Sequence, residues 1–359
     1  MTDTELATRA PENDMDPNEG PTMMTVPLPS DPTPPAPFTP HCNTDRPLSS
    51  STTHPTGDLS PINGITCYIS KPKDYPSNPS RLLLLLTPGT GILSTNNQLQ
   101  ADAFTSRGYV VVMPDQFNGD PAPNSANTAT SSTALQSDFN GQAAKGAVTA
   151  PPHQTQAAAA APSTSIIEKI KLGMVEASKS FVIDMWLARH TPATIMPRLK
   201  KVVEGVREQF ADAVANGGGI YGVGYCSGAK YIVLLCGENP YSGLQAHKSG
   251  EVGKMQQGPE LKCGVIAHGT LVTKEDLQAV RTPMTIISLR DDPVFPEEVI
   301  VAGRESFRKH GLRHKVEFYD DVPHGFAVIG DYEDKSIVEK QKEVFEVMCE
   351  ALRMDDGDD

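Results

Sequence analysis

The 359-residue sequence has few cysteines, six in all (Cys42, Cys67, Cys226, Cys236, Cys263 and Cys349), with no C-x-x-C pair and no dense spacing among them. That excludes a disulfide framework and supplies no zinc-ligand pattern, so no metal is expected and a reducing, cytoplasmic setting is. No stretch approaches the roughly 18 uninterrupted apolar residues of a membrane helix. The acidic start Met1-Thr2-Asp3-Thr4-Glu5 leads into no apolar signal core. Neither a membrane span nor a signal peptide is expected. Basic charge is also short: 31 Lys and Arg against 44 Asp and Glu leave a net charge of -13. Nothing here could neutralise phosphates along a stripe, which argues against nucleic-acid and anionic-membrane partners.

Apolar residues make up only 38% of the chain, and the deficit is local. Residues 1 to about 40 are rich in Pro, Thr, Asp and Glu. Such a composition cannot bury enough apolar surface to offset chain entropy, so a disordered tail is expected. Ala, Ser, Thr, Asn, Gln and Pro dominate residues 121–162, which read as a low-complexity insertion. Residues 354–359 read as a solvated acidic end. Between these segments, residues 41–353 are expected to form one domain.

In that domain strand and helix signals alternate. Gly64 to Ser70, Arg81 to Thr87, Tyr109 to Met113, Gly219 to Gly224, Cys263 to Ala267, Met284 to Leu289 and Lys315 to Tyr319 read as strands. Asn96 to Arg107, Ile166 to Arg189, Ala193 to Asn216, a segment from Thr273, Pro296 to His310 and Tyr332 to Met354 read as helices. Continuous apolar strands such as Leu82 to Leu86 suit a sheet buried on both faces. The expected class is α/β, with a mostly parallel sheet between two helical layers.

Gly224-Tyr225-Cys226-Ser227-Gly228 carries the chemistry. A G-x-C-x-G at a strand end running into a helix reads as a nucleophile elbow, whose glycines stand where a Cβ would collide with backbone. The helix N-terminus favours a thiolate at Cys226. Asp292 and His324 follow in later strand-end loops, and nucleophile, acid, histidine is the chain order of α/β-hydrolases. Cys226 is expected as nucleophile, His324 as base and Asp292, rather than its neighbour Asp291, as the group that orients the imidazole. The backbone N–H groups of Ser227 and Gly89 are expected to form the oxyanion hole. Thr90, Tyr225, His268, Phe295 and Phe326 are candidates for the substrate pocket, and Asn96, Asn97 and Asp102 read as capping or solvent-facing residues.

Cys226 in G-Y-C-S-G, Asp292 in D-P-V-F-P, His324 in H-G-F and the stretch from Gly108 to Pro121 together resemble the dienelactone hydrolase family, its fungal branch in particular. The resemblance covers about residues 41 to 353. It implies an α/β-hydrolase fold, a Cys-His-Asp triad, a small-molecule acyl substrate and no cofactor, with hydrolysis of lactones, esters or thioesters through an acyl-enzyme. Two departures stand out. Pro88 and Val328 occupy positions where bacterial members carry a glutamate that holds the thiol and an arginine that binds the substrate carboxylate. They make dienelactone itself an unexpected substrate. They also leave open a non-catalytic binding protein, or an acyltransferase or lactone-forming enzyme.

Overall fold

The computed structural model describes residues 43–46, 48, 54–123, 181–238 and 258–353. The expected tail, nearly all of the 121–162 insertion and the acidic end lie outside those residues. Eight strands form one sheet: β1 Asp58–Ile62, β2 Ile65–Ser70, β3 Arg81–Leu86, β4 Tyr109–Pro114, β5 Ile220–Tyr225, β6 Cys263–Ala267, β7 Met284–Leu289 and β8 His314–Tyr319. Their order is β1-β2-β4-β3-β5-β6-β7-β8. The first two pairings are antiparallel, and every pairing from β4 to β8 is parallel.

Side-chain alternation divides the strands between two cores. Leu82, Leu84 and Leu86 of β3 and Val110 and Val112 of β4 point to one face, with Leu199, Val202 and Val206 of α2 (Pro192–Gln209) and Ile232 of α4 (Ser227–Leu235). Leu83, Leu85, Val111 and Val223 point to the other, with Phe104 of α1 (Thr95–Thr105) and Val344, Met348 and Leu352 of α7 (Lys335–Arg353). A strand with both neighbours paired and both faces covered must be apolar at every position, which is why the central strands lack alternating polarity.

Three local readings are corrected. β1 was not anticipated: Ile62 pairs with Ile65 across Asn63-Gly64, both at positive φ, the geometry of a two-residue hairpin turn. Pro61 is tolerated because β1 is an edge strand. The segment expected as one helix over Ala193 to Asn216 is two, α2 and α3 (Ala211–Gly217), broken at Phe210 with φ -126° and ψ 41°. Of the helix expected over Ile166 to Arg189, residues 181–189 are described and are helical; the remainder lies outside the described residues. The short helix α5 (Lys274–Gln278) starts as anticipated, with Thr273 and Asp276 forming a reciprocal capping box. Pro296 is the N-cap of α6 (Glu297–Lys309) and not its first residue.

Parallel strands direct all their carboxyl ends to one edge, where residues far apart in sequence meet. Four neighbouring strands end there in a non-glycine residue with positive φ: Cys226 after β5, His268 after β6, Asp291 after β7 and Asp321 after β8. Such conformations are costly and persist only where surrounding contacts impose them.

Candidate active site

The elbow owes its shape to its glycines. Cys226 has φ 50° and ψ -116° between β5 and α4. A Cβ on Gly224 would lie 2.7 Å from Gly228 O and 2.8 Å from Ala229 Cα, and one on Gly228 would lie 2.4 Å from Leu86 O. Both contacts are to backbone, which cannot swing aside, so only glycine lets the helix turn back this tightly over β3 and β5. The Cys226 N–H donates to Ala267 O at 3.1 Å, tying the turn to β6.

His324 and Asp292 meet. His324 Nδ1 is 2.7 Å from Asp292 Oδ2, and the Val294 N–H donates to Asp292 Oδ1 at 2.9 Å. Asp292 is buried while Asp291 is exposed. A carboxylate only accepts, so Nδ1 carries the proton and the neutral imidazole presents a lone pair at Nε2.

At that lone pair stands a residue the sequence reading did not single out. Thr270 Oγ1 is 3.2 Å from His324 Nε2 and 3.1 Å from Cys226 Sγ. The threonine proton therefore points to Nε2, and an oxygen lone pair is left to accept from the thiol. Its own N–H donates to Cys226 O at 3.1 Å. The only sequence signal was position, three residues past the end of β6 in His268-Gly269-Thr270.

The remaining candidates divide. The loop after β3 is held by side chains behind it: Gln116 Nε2 donates to Thr87 O at 3.1 Å, and Asn97 Nδ2 donates to Gly91 O at 2.7 Å and to Thr90 Oγ1 at 2.9 Å. Gly89 is buried in this loop, its carbonyl accepting from Ala122 N–H at 2.8 Å. Ser227 opens α4. Its Oγ has no hydrogen-bond partner among the described residues. Thr90 lines a narrow cleft with Arg46, Pro88, Gly325 and Val328. Tyr225 and Phe326 instead belong to the core under α7, and the Tyr225 hydroxyl donates to Met348 Sδ at 3.2 Å. Phe295 packs in the opposite core. Asn96 and Asn97 neither cap α1 nor face water: Ser94 is the cap, and buried Asn96 donates to the carbonyls of Arg46 and Ile329. Asp102 accepts from the Thr56 N–H and the Tyr68 hydroxyl.

His268 is wholly buried, its ring centroid 5.1 Å from that of His324. Neither ring nitrogen has a hydrogen-bond partner among the described residues. Burial, and then the neighbouring His324, push its pKa well below the usual 6.5. It is a neutral wall behind His324. Cys226 too has no exposed surface.

The dienelactone hydrolase family matches residues 252–353 in sequence. Hydrolase pyvD of Aspergillus violaceofuscus is 26% identical over 76% of this chain and 79% of its own length. Dienlactone hydrolase 1 of Gibberella moniliformis is 22% identical over 76% of this chain and 78% of its own. A crystal structure provisionally named a dienelactone hydrolase, from Klebsiella pneumoniae, superposes with a TM-score of 0.51 at 14% identity, covering 83% of this chain and 97% of that one, which shows a shared fold. The matched C-terminal segment, the fungal relatives and the shared fold all make the chain similar to the dienelactone hydrolase family.

Proposed function

We propose that the chain hydrolyses a lactone, ester or thioester through an acyl-enzyme on Cys226. The observation that carries this reading is the continuous line from Asp292 through His324 and Thr270 to Cys226 Sγ, with contacts of 2.7, 3.2 and 3.1 Å. Such a line gives a thiol a base, and gives the base a fixed tautomer. Cys226 Sγ attacks the acyl carbon as its proton passes to His324 Nε2. Asp292 stabilises the imidazolium that forms. The N–H groups of Ser227 and Gly89 receive the oxyanion, Gly89 from a loop that Asn97 and Gln116 hold in place. The imidazolium then protonates the leaving alkoxide or thiolate. His324 next takes a proton from water, which attacks the acyl-thiol, and returns it to sulfur as the acid leaves. In a lactone the leaving group stays tethered to the acyl chain, so ring opening gives a hydroxy acid.

Cys226→Ala tests this reading. Hydrolysis of p-nitrophenyl acetate, a simple thioester and a simple lactone is expected to vanish in the variant while its circular dichroism and melting temperature stay those of the native protein. Mass spectrometry of the native protein quenched during turnover is expected to find the acyl mass on the peptide holding Cys226. Undiminished hydrolysis by the variant overturns the proposal.

A further inference from the structure

We propose that Thr270 is a catalytic residue, its hydroxyl carrying the proton between Cys226 Sγ and His324 Nε2. The inference rests on the reading of Cys226 as nucleophile. Both side-chain hydrogen bonds of Thr270 go to the two atoms that exchange that proton, 3.1 Å to sulfur and 3.2 Å to nitrogen. A threonine with a merely structural task would satisfy a nearby carbonyl. Here the hydroxyl has no solvent exposure, so bulk water does not replace it as a carrier.

Three constraints hold it in place. The Thr270 N–H is bonded to the carbonyl of Cys226 itself, so the hydroxyl moves with the elbow. A β-branched side chain is restricted at χ1, and burial narrows the choice further. Asp292, by fixing the proton on Nδ1, obliges Nε2 to accept. The hydroxyl has one proton to give and lone pairs to receive, so the resting line reads S–H to Oγ1, then Oγ1–H to Nε2.

Transfer reverses that line without moving a heavy atom. The S–H bond breaks as its proton binds Oγ1, the former Oγ1 proton binds Nε2, and the electron pair stays on sulfur. The products are a thiolate, an unchanged threonine and an imidazolium paired with Asp292. Oγ1–H then donates to the thiolate, and Nε2–H donates to Oγ1. Every polar hydrogen has a partner before and after, which matters where water does not reach. This gives the thiol a neutral resting partner in a chain that carries Pro88, and no carboxylate, in the loop after β3.

The test uses the full chain and p-nitrophenyl acetate. In Thr270→Val, which keeps the shape and removes the hydroxyl, kcat/KM is expected to fall about a hundredfold, the size of a lost acid–base contribution. Thr270→Ser is expected to recover most of that loss, and the apparent pKa for alkylation of Cys226 by iodoacetamide is expected to rise in the valine variant and return in the serine variant. Thr270→Ala serves if the valine variant melts early. Native rate and native alkylation profile in Thr270→Val and Thr270→Ala, with Cys226→Ala inactive, overturn the relay and leave the nucleophile standing. Equal losses in Thr270→Ser and Thr270→Val also overturn it, since the hydroxyl is then not what matters. Activity in Cys226→Ala defeats the underlying reading itself.

Discussion

Asp292 Oδ2 lies 2.7 Å from His324 Nδ1, across 32 residues of sequence and between the ends of two adjacent parallel strands, β7 and β8. The contact decides which ring nitrogen can act. Asp292→Asn offers an amide that can donate to Nδ1, so the imidazole turns its proton to Nε2 and loses its lone pair there. The expected result is a fall in kcat of about a thousandfold or more, with little change in melting temperature. Asp291→Asn, at the exposed neighbouring position, is the control and is expected to keep native turnover. Steady-state kinetics on an activated ester reads both. The reverse ranking would reassign the acid.

Gly228 meets β3 so closely that an added Cβ would stand 2.4 Å from Leu86 O. Gly228→Ala therefore has to push α4 away from the sheet, and the displacement moves the elbow and the Ser227 N–H with it. A loss of about 1–3 kcal/mol is expected from overpacking, together with a drop in kcat that exceeds any change in KM. Chemical denaturation and kinetics on the same preparation measure both. A stable and fully active Gly228→Ala variant would show that the turn has slack the geometry denies.

Much of this was legible in the chain. The leucine run of β3 and the apolar runs of β4, β6 and β7 read as strands because full burial leaves no room for polar alternation. Cys226, Asp292 and His324 were legible because each sits in a short motif at a strand end. Asn63-Gly64 is an equally plain turn signal, but β1 before it contains a proline and a serine and has little apolar signal. Thr270 had no motif of its own. Its place depends on how far the β6 loop swings back over the elbow, and that is fixed by the bond from the Thr270 N–H to Cys226 O, a tertiary fact. Tyr225 is a motif neighbour of Cys226, but strand alternation sends its side chain to the opposite face, under α7. The asparagines of α1 read as caps and proved to be the braces of two loops, because a polar residue near a helix start has the same sequence whether it meets water or a buried carbonyl.

The cysteines separate by chemistry. Burial pushes the thiols of Cys67 and Cys236 up to about 12, and that of Cys349 up to about 11, so at neutral pH all three are protonated and poor nucleophiles. Cys226 stands at a helix N-terminus with a threonine and a histidine in line. Brief treatment with iodoacetamide at about pH 7, followed by peptide mass mapping, is expected to find Cys226 modified before these three, with activity lost in proportion. Modification of Cys67, Cys236 or Cys349 first would contradict that order.

His268 gives the fold a dependence on acid. Its pKa in the folded chain lies well below the 6.5 of an open imidazole, because burial and the adjacent His324 both oppose its charge. Above 6.5 neither the folded nor the unfolded chain protonates it, and it contributes nothing to pH dependence. Below that point the unfolded chain binds a proton that the folded chain refuses, so stability falls as pH falls, by up to about 1.4 kcal/mol per unit for this one group. His268→Asn removes the titration and keeps a residue that tolerates the positive φ found there. Urea denaturation from about pH 8 to about pH 5 is expected to show the native protein losing stability more steeply on the acid side than the variant, with the two curves parallel at the alkaline end. Parallel curves over the whole range would mean that His268 takes up its proton while the chain is folded, and so that the wall behind His324 is not neutral.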